Sequence, residues 1–354
     1  MTKIVVLCDT HVGVRNSSDI FIENAAAFYT DVLFPHMLEH GIKRIIHLGD
    51  VFDNRKLVNF KALHSYRKTF LAKLREYNIQ MDVICGNHDA FYKNTNELNA
   101  LKELLGHYVA EVRIIQEPSE IEYDGVKWGL IPWIAADNEA QTMEFLKTTT
   151  ATHIGGHFEL NGFEVIRGVE MQHGMDPSLL QRFHAVYTGH FHGKSSKGNI
   201  HYLGAPLEFF WNDAGDPKYF HVFDTDTSQI TPVLNPKTLF HKIYYDDSKT
   251  DYLQYDLSGI ENKFVKIVVI NKSDMFTFDR FVDRVQSSKI YELKIAETFQ
   301  EFVGESIADG QLSLADTGSL LCSYVDAVDT ELDKDRIKNQ MMDLMIEAQS
   351  LEVA

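Results

Sequence analysis

One construction recurs five times along this chain. An apolar run, closed by glycine in four of the five cases, is followed at once by side chains that can bind a metal or move a proton. Its fullest form is Val83-Ile84-Cys85-Gly86-Asn87-His88-Asp89. A short apolar run bounded by glycine reads as a buried strand. The polar residues after it then sit at the strand's carboxyl end, where α/β sheets bind their ligands. Asn87 offers a neutral oxygen, His88 a nitrogen that titrates near neutrality and Asp89 a carboxylate. Taken alone, this segment reads equally well as a turn capped by Asn or Asp. The four other occurrences change that balance.

In chain order, a strand over 3–8 leads into Asp9-Thr10-His11, and a helix is expected over 24–38. A second strand over 44–48 leads into Gly49-Asp50-Val51-Phe52-Asp53, and an amphipathic helix over 60–74 follows. The third strand, 83–85, leads into Asn87-His88. This βαβαβ order predicts a parallel sheet with right-handed crossovers. A helix over 97–105 and short strands over 111–134 come next, with a turn at Asp124-Gly125. After a helix over 139–147, the runs ending in Gly155-Gly156-His157 and Gly189-His190-Phe191-His192 repeat the pattern. Residues 199–235 read as antiparallel strands. Composition shifts after Pro236, where strands at 239–245, 264–270 and 289–296 and a helix at 276–287 predict a small α+β unit. Residues 298–325 have weak periodicity and read as a linker. From Glu331 onward Ile337, Met341, Leu344, Met345 and Ala348 share one helical face. The expected organisation is therefore 1–235, 236–297, a linker 298–325 and a helical segment 326–354.

Collecting the groups at the strand ends gives Asp9, His11, Asp50, Asn87, His157, His190 and His192. In an open α/β sheet these loops share one edge. Seven nitrogen and oxygen donors without a thiolate suit Mn²⁺, Fe²⁺ or Mg²⁺ rather than structural zinc. If one carboxylate bridges, seven ligands serve two ions four times each and leave positions open, as a two-metal hydrolase requires. Asp50, with two oxygens and a central place in the series, is the natural bridge. The other histidines, among them His47, His153, His184, His201 and His221, lie inside strands or on helix faces without such a pattern and are set aside.

The motifs Asp9-x-His11, Gly49-Asp50-x-x-Asp53, Gly86-Asn87-His88-Asp89, Gly156-His157 and Gly189-His190-x-His192 resemble the five motifs of the calcineurin-like metallophosphoesterases. Their order and spacing, with the small unit that follows, are similar to the DNA double-strand-break repair nucleases of that superfamily. The nuclease subunit of the bacterial SbcCD complex is one of these. Gly156-His157-Phe158-Glu159-Leu160-Asn161-Gly162-Phe163 and Ile131-Pro132-Trp133 are similar to the branch found in T-even-like phages. The resemblance implies an α/β fold: a metallophosphoesterase β-sandwich flanked by helices, with a small α+β capping domain and a C-terminal helical tail. It implies one metal on Asp9, His11, Asp50 and His192 and a second on Asp50, Asn87, His157 and His190, with Mn²⁺ first and Mg²⁺ as the alternative. His88 would then be catalytic without being a ligand, positioning the phosphate or protonating the leaving 3′ oxygen. Asp53 departs from the histidine many relatives carry and cannot act as a cation. The implied partners are DNA, an ABC-type ATPase with a coiled coil that takes the C-terminal segment, and a second copy docked through 60–76 and 97–105. A stand-alone nucleotide phosphodiesterase or phosphatase is the alternative reading.

Charge bears on how such a protein meets DNA. The net charge is −17, and −9 of it falls in residues 298–354, which hold twelve acids and three bases. Bulk charge this negative repels nucleic acid, so bound cations or a partner must supply the attraction. Basic residues near the motifs include Arg55, Lys56, Lys93, Lys194 and Lys197, and they are the candidates for contacting phosphates. Phe191, set between two of the donors, is expected to pack rather than stack on a base. No apolar run is long enough to span a bilayer, and the N-terminal stretch runs straight into Asp9, unlike a signal peptide. Cys8, Cys85 and Cys322 form no C-x-x-C pair, which fits a reducing compartment, the cytoplasm of a bacterial host if the chain is viral.

Overall fold

The computed structural model describes residues 2–166, 169–171 and 173–296, with the four isolated positions 333, 334, 336 and 338. The expected linker and helical tail otherwise lie outside the described residues. The chain divides into two compact units. The first comprises residues up to Phe163, Gln172–Phe209 and Asp216–Leu239; the second takes in Glu164–Met171, Phe210–Gly215 and the chain from Phe240 onward.

The first unit contains two six-stranded sheets, in keeping with the helix-flanked β-sandwich that the resemblance implies. In the first sheet Lys3–Leu7, Arg44–His47, Gln80–Ile84 and Val112–Ile115 run parallel, and the hairpin Tyr219–Asp224/Gln229–Leu234 adds antiparallel at one side. The second has Val126–Ile131, His153–His157, Ala185–Gly189 and Ile200–Tyr202 parallel, with antiparallel edges at Ser119–Tyr123 and Ser195–Lys197. The expectation of purely antiparallel strands over 199–235 is thus corrected at Ile200–Tyr202, which pairs parallel with Ala185–Gly189.

The two sheets share one core. Ile4, Val6, Ile46, Leu48 and Ile84 of the first meet Trp128, Leu130, Tyr187 and Leu203 of the second. Strands covered on both faces need continuous apolar runs, which is why these segments lack alternation. Register keeps the functional ends level: Leu7 pairs with His47, and Gly189 with His157. The loops stay joined beyond the strands, with Asp9 N donating to Gly49 O at 3.0 Å and Thr10 N to Asp50 O at 2.9 Å.

The first crossover helix starts earlier than expected, at Asp19, and continues to Glu39 through a wide π turn at Tyr29–Leu33. Pro35 follows that turn and has no N–H to return to the ladder, which loosens the register before it. The second runs from Phe60 to Glu76 with a π turn at Arg67–Leu71. Tyr29, Tyr66 and Phe70 lock the two together, with Tyr29 and Phe70 4.9 Å apart and Tyr66 stacked on Phe70 at 5.0 Å. The helix predicted from 97 begins at Ala100, where the Asn99 side chain accepts from Lys102 N.

In the second unit Phe240–Asp246, Phe264–Asn271 and Glu292–Ala296 form a parallel three-stranded sheet. Helix Met275–Gln286 packs Phe278, Phe281 and Val285 against Ile243, Tyr245, Val265 and Ile267. Among the described residues no helix is long and apolar enough to cross a membrane. Cys8 and Cys85 are buried free thiols.

Candidate metal centre

Glycine makes room for the site. A Cβ on Gly86 would overlap the Asp50 carboxylate, and one on Gly189 would lie 2.7 Å from Asp9 Oδ2. Each of these glycines therefore admits a carboxylate from a neighbouring strand end, which explains their place in the motifs. The donors themselves sit on strained backbone. Asp9, His11, Asp50 and His190 have φ of 50°, 43°, 53° and 90°. Left-handed backbone costs non-glycine residues about 1–3 kcal/mol each and gathers where geometry serves function.

The seven donors converge from both sheets. His11 Nε2 stands 3.0 Å from His192 Nε2, 3.7 Å from Asp50 Oδ2 and 4.0 Å from Asp9 Oδ1. His157 Nε2 lies 2.9 Å from Asn87 Oδ1 and 3.3 Å from Asp50 Oδ2, and His190 Nδ1 lies 3.0 Å from the same Asn87 oxygen. Asp50 is within reach of both groups. Asp9, His11 and His192, and separately Asp9, Asp50 and His157, form clusters in which the donor atoms lie within 4.8 Å of one another.

The chemistry of this donor set fits a divalent cation. His157 Nδ1 is 2.8 Å from the Leu48 carbonyl and donates there. Its Nε2 lone pair consequently faces two oxygens, an arrangement that repels unless positive charge lies between them. Asp9 and Asp50 are both buried, and a buried carboxylate needs a cationic partner. In the bare chain protons fill that need. Burial alone would depress the pKa of His11 and His157, yet the carboxylates of Asp53, Asp50 and Asp9 around His11, and of Asp50 and Asp9 around His157, raise each to about 9. The Asp50 carboxyl resists burial and is held well below its usual range by His157 and His88, whereas burial raises Asp9.

His88 donates its backbone N–H to Asp50 Oδ1 at 2.8 Å, and its Nδ1 lies 2.6 Å from the Asp53 carbonyl. It also forms a third cluster with His11 and Asp53. Burial holds its pKa below the usual value against the pull of Asp50. Arg55 is half-buried and within the field of Asp50. Lys56 and Lys93 are exposed. Lys194 is exposed and set over Tyr219 at 5.9 Å, beside His201 and His221. Phe191 is buried and stacks on Tyr202 at 4.5 Å, so it packs, as expected.

Several supporting residues have roles that the sequence does not assign. Asp53 Oδ1 is 3.4 Å from His11 Nδ1, so this carboxylate faces a candidate ligand. Asp89 accepts from Val51, Phe52 and Gly86 N–H groups and ties two strand ends together; burial and the nearby Asp50 push its carboxyl up to about 7. The buried Lys218 donates to His192 O at 3.2 Å and pairs with Asp216 at 3.0 Å. Phe209 and Trp133 wall the site: Phe209 meets His11 at 5.3 Å and His192 at 5.5 Å, and Trp133 meets His190 at 5.3 Å and His157 at 6.0 Å. Their order in the chain gives no hint of these contacts.

Comparison with known proteins agrees with this chemistry. Exonuclease subunit 1 of Enterobacteria phage T4 is 30% identical over 336 residues, which are 94% of this chain and 95% of the phage protein. Among solved structures, an archaeal phosphodiesterase aligns at 15% identity with a TM-score of 0.35, over 66% of this chain and 100% of that one. A protein of Thermus thermophilus aligns at 9% identity with a TM-score of 0.39, over 66% of this chain and 98% of its own. The pattern that defines calcineurin-like phosphoesterases matches residues 2–194, a span that holds all seven donors and His88. A match over more than half the sequence, with a relative this similar along nearly all of it, means that the chain belongs to the calcineurin-like phosphoesterase family.

Proposed function

We propose that this chain is the nuclease subunit of a recombination or repair complex and hydrolyses DNA phosphodiesters with two divalent ions, Mn²⁺ first. The observation that carries the hydrolytic part is the convergence of nitrogen and oxygen donors across the two sheets, His11 against His192 and His157 against Asn87, around the shared Asp50. The DNA substrate rests on the likeness to the phage exonuclease subunit. Asp9, His11, Asp50 and His192 would hold one ion and Asp50, Asn87, His157 and His190 the other. Ions there neutralise the phosphate and lower the pKa of a water nucleophile.

The chain's own residues do the rest. His88 keeps Nδ1–H on the Asp53 carbonyl, which leaves Nε2 for proton transfer. Neutral in the free chain, it gains a proton beside the anionic phosphate and passes it to the leaving 3′ oxygen. Arg55, Lys56 and Lys93 give cationic contacts to flanking phosphates. Lys194 serves a more distant phosphate if it serves DNA at all, since it faces Tyr219. We assign the nuclease domain to 1–235 and the capping domain to 236–297, with 298–325 as linker and 326–354 as the segment that docks an ABC-type ATPase. A homodimer through 60–76 and 97–105 is supported by Leu57 and Phe60, which are 76% and 88% exposed at the head of the helix beginning at Phe60. Such a complex works in the cytoplasm, that of a bacterial host if the chain is of phage origin.

The test is cleavage of single- and double-stranded DNA with Mn²⁺, Mg²⁺ or a chelator. Mn²⁺-dependent cleavage that the chelator abolishes is expected. Hydrolysis of mononucleotide esters or phosphoprotein with DNA left whole would replace this reading by a stand-alone phosphatase.

A further inference from the structure

Three of the four candidate metal-site histidines share a feature beyond their ligating nitrogens. In His157 the rear nitrogen, Nδ1, gives its proton to Leu48 O at 2.8 Å. In His11 the rear Nδ1 faces Asp53 Oδ1 at 3.4 Å. In His190 it is Nδ1 that joins Asn87 and His157, so Nε2 is the rear nitrogen, and Glu159 Oε2 lies 3.4 Å from it. A histidine ligand whose second N–H is held by an acceptor is fixed in tautomer and ring plane and made a stronger donor.

We propose that Glu159 is a positioning residue for His190. It selects the Nε2–H tautomer and presents the Nδ1 lone pair to the cation shared with Asn87 and His157. This rests on the two-ion reading of the site and adds to it a residue outside the ligand set.

Two observations support the assignment. The first is the rigidity of Glu159's backbone. Glu159 O accepts from Met175 N at 2.9 Å. On either side the Tyr202 hydroxyl accepts from Leu160 N at 3.1 Å and donates to Phe158 O at 2.9 Å. A carboxylate launched from a pinned loop loses little freedom on holding a partner. The second is that His190 needs orientation. It sits on left-handed backbone at φ 90° while its own N–H is committed to the Asp9 carboxylate at 3.0 and 3.2 Å. Trp133 and Phe191 bound the ring at 5.3 and 5.0 Å, but aromatic walls cannot choose which nitrogen carries the proton. Glu159 supplies that choice. The loop after strand His153–His157 thereby delivers one ligand, His157, and two residues later the group that aims another.

The experiment uses the full chain, stripped of metal and titrated with Mn²⁺ by calorimetry, with electron paramagnetic resonance reporting the coupled ion pair. Glu159→Ala should weaken one of the two ions by about 10- to 100-fold and reduce the coupled signal, with the other ion changed less than about threefold. Glu159→Gln keeps an oxygen that accepts from Nε2–H and should recover most of the affinity. Glu139→Ala, an exposed acid on helix Glu139–Thr148, should match the wild type. A wild-type isotherm for Glu159→Ala overturns the proposal. So does a glutamine variant as weak as the alanine one. Equal loss of both ions with a lower unfolding midpoint of the metal-free protein also overturns it, marking Glu159 as merely structural. A wild-type chain that binds fewer than two ions overturns the two-ion reading itself, before any variant is compared.

Discussion

Two sets of buried histidines in the first unit face opposite electrostatic fates. His11 and His157 at the metal centre and His47, His153 and His221 in and beside the sheets are all almost wholly buried. Burial disfavours the charged imidazole in every one of them. For His47, His153 and His221 burial wins, and their pKa values fall to about 3, 4 and 3. For His11 and His157 the carboxylates win, and both rise to about 9. The core set keeps company with rings and hydroxyls: His153 stacks on Trp128 at 5.7 Å, and His47 Nε2 faces Thr10 Oγ1 at 3.0 Å. The site set faces Asp50 and Asp9. A carboxylate oxygen in direct contact with a ring nitrogen, and not depth, separates His11 and His157 from His47, on which the pull of Asp50 does not offset burial, and from His192, which burial and the neighbouring His11 hold well below its usual value.

The sharpest way to break this contrast is to remove its charge. Asp50→Asn should cut hydrolysis by at least about 10²- to 10³-fold. Elemental analysis should show both ions depleted, and NMR should find the His157 pKa falling toward the core values. A variant that retains both ions would dissolve the distinction between the two sets.

His88→Ser separates ligation from proton transfer. A loss of about 10²- to 10⁴-fold in rate is expected at unchanged metal content. Metal loss in this variant would move His88 into the ligand set through its cluster with His11 and Asp53.

A third prediction concerns protons and metal competing for one place. In the bare chain His11 and His157 are protonated up to about pH 9. Binding at pH 7 must therefore release protons, up to two, and Mn²⁺ affinity should rise as much as about tenfold per pH unit per proton until roughly pH 9. Calorimetry in buffers of different ionisation heat reads the released protons. Absence of release at pH 7 would place these two histidines with the core set.

The smallest effects are on stability, and their signs oppose. A histidine whose folded pKa is lowered binds its proton more readily when unfolded. His153 therefore costs stability as pH falls from about 6.5 toward about 4, at up to about 1.4 kcal/mol per pH unit. His153→Phe should flatten the acid limb of a denaturation series by that slope. His11 and His157 have raised values in the metal-free chain. Their contribution is fully present below about pH 6.5 and is lost as pH rises through about 9. Saturating Mn²⁺ should abolish this alkaline loss and leave the acid limb of His153 in place.

Much of this protein was legible one residue at a time. Strands are written as apolar runs because both faces are covered, and the glycines mark where a carboxylate presses on the backbone. The seven donors follow at once because the loop after a strand is local in sequence. The motifs were therefore enough to gather the candidate donors and to name the family. Tertiary structure decided what could not be local. His11 meets His192 across 181 positions and His157 meets Asn87 across 70, because the donors come from two sheets. Left-handed backbone at Asp9, His11, Asp50 and His190 is a conformation that Asp and His tolerate better than most residues, and it is seen only once the chain is folded. The roles of Asp53, Asp89, Lys218 and Glu159 depend on which neighbour their side chains meet. The sequence separates His157 from His47 by the glycine before it, but only the fold supplies the reason, setting a hydroxyl before His47 and a carboxylate before His157, because a side chain's charge state depends on field and solvation at its final place.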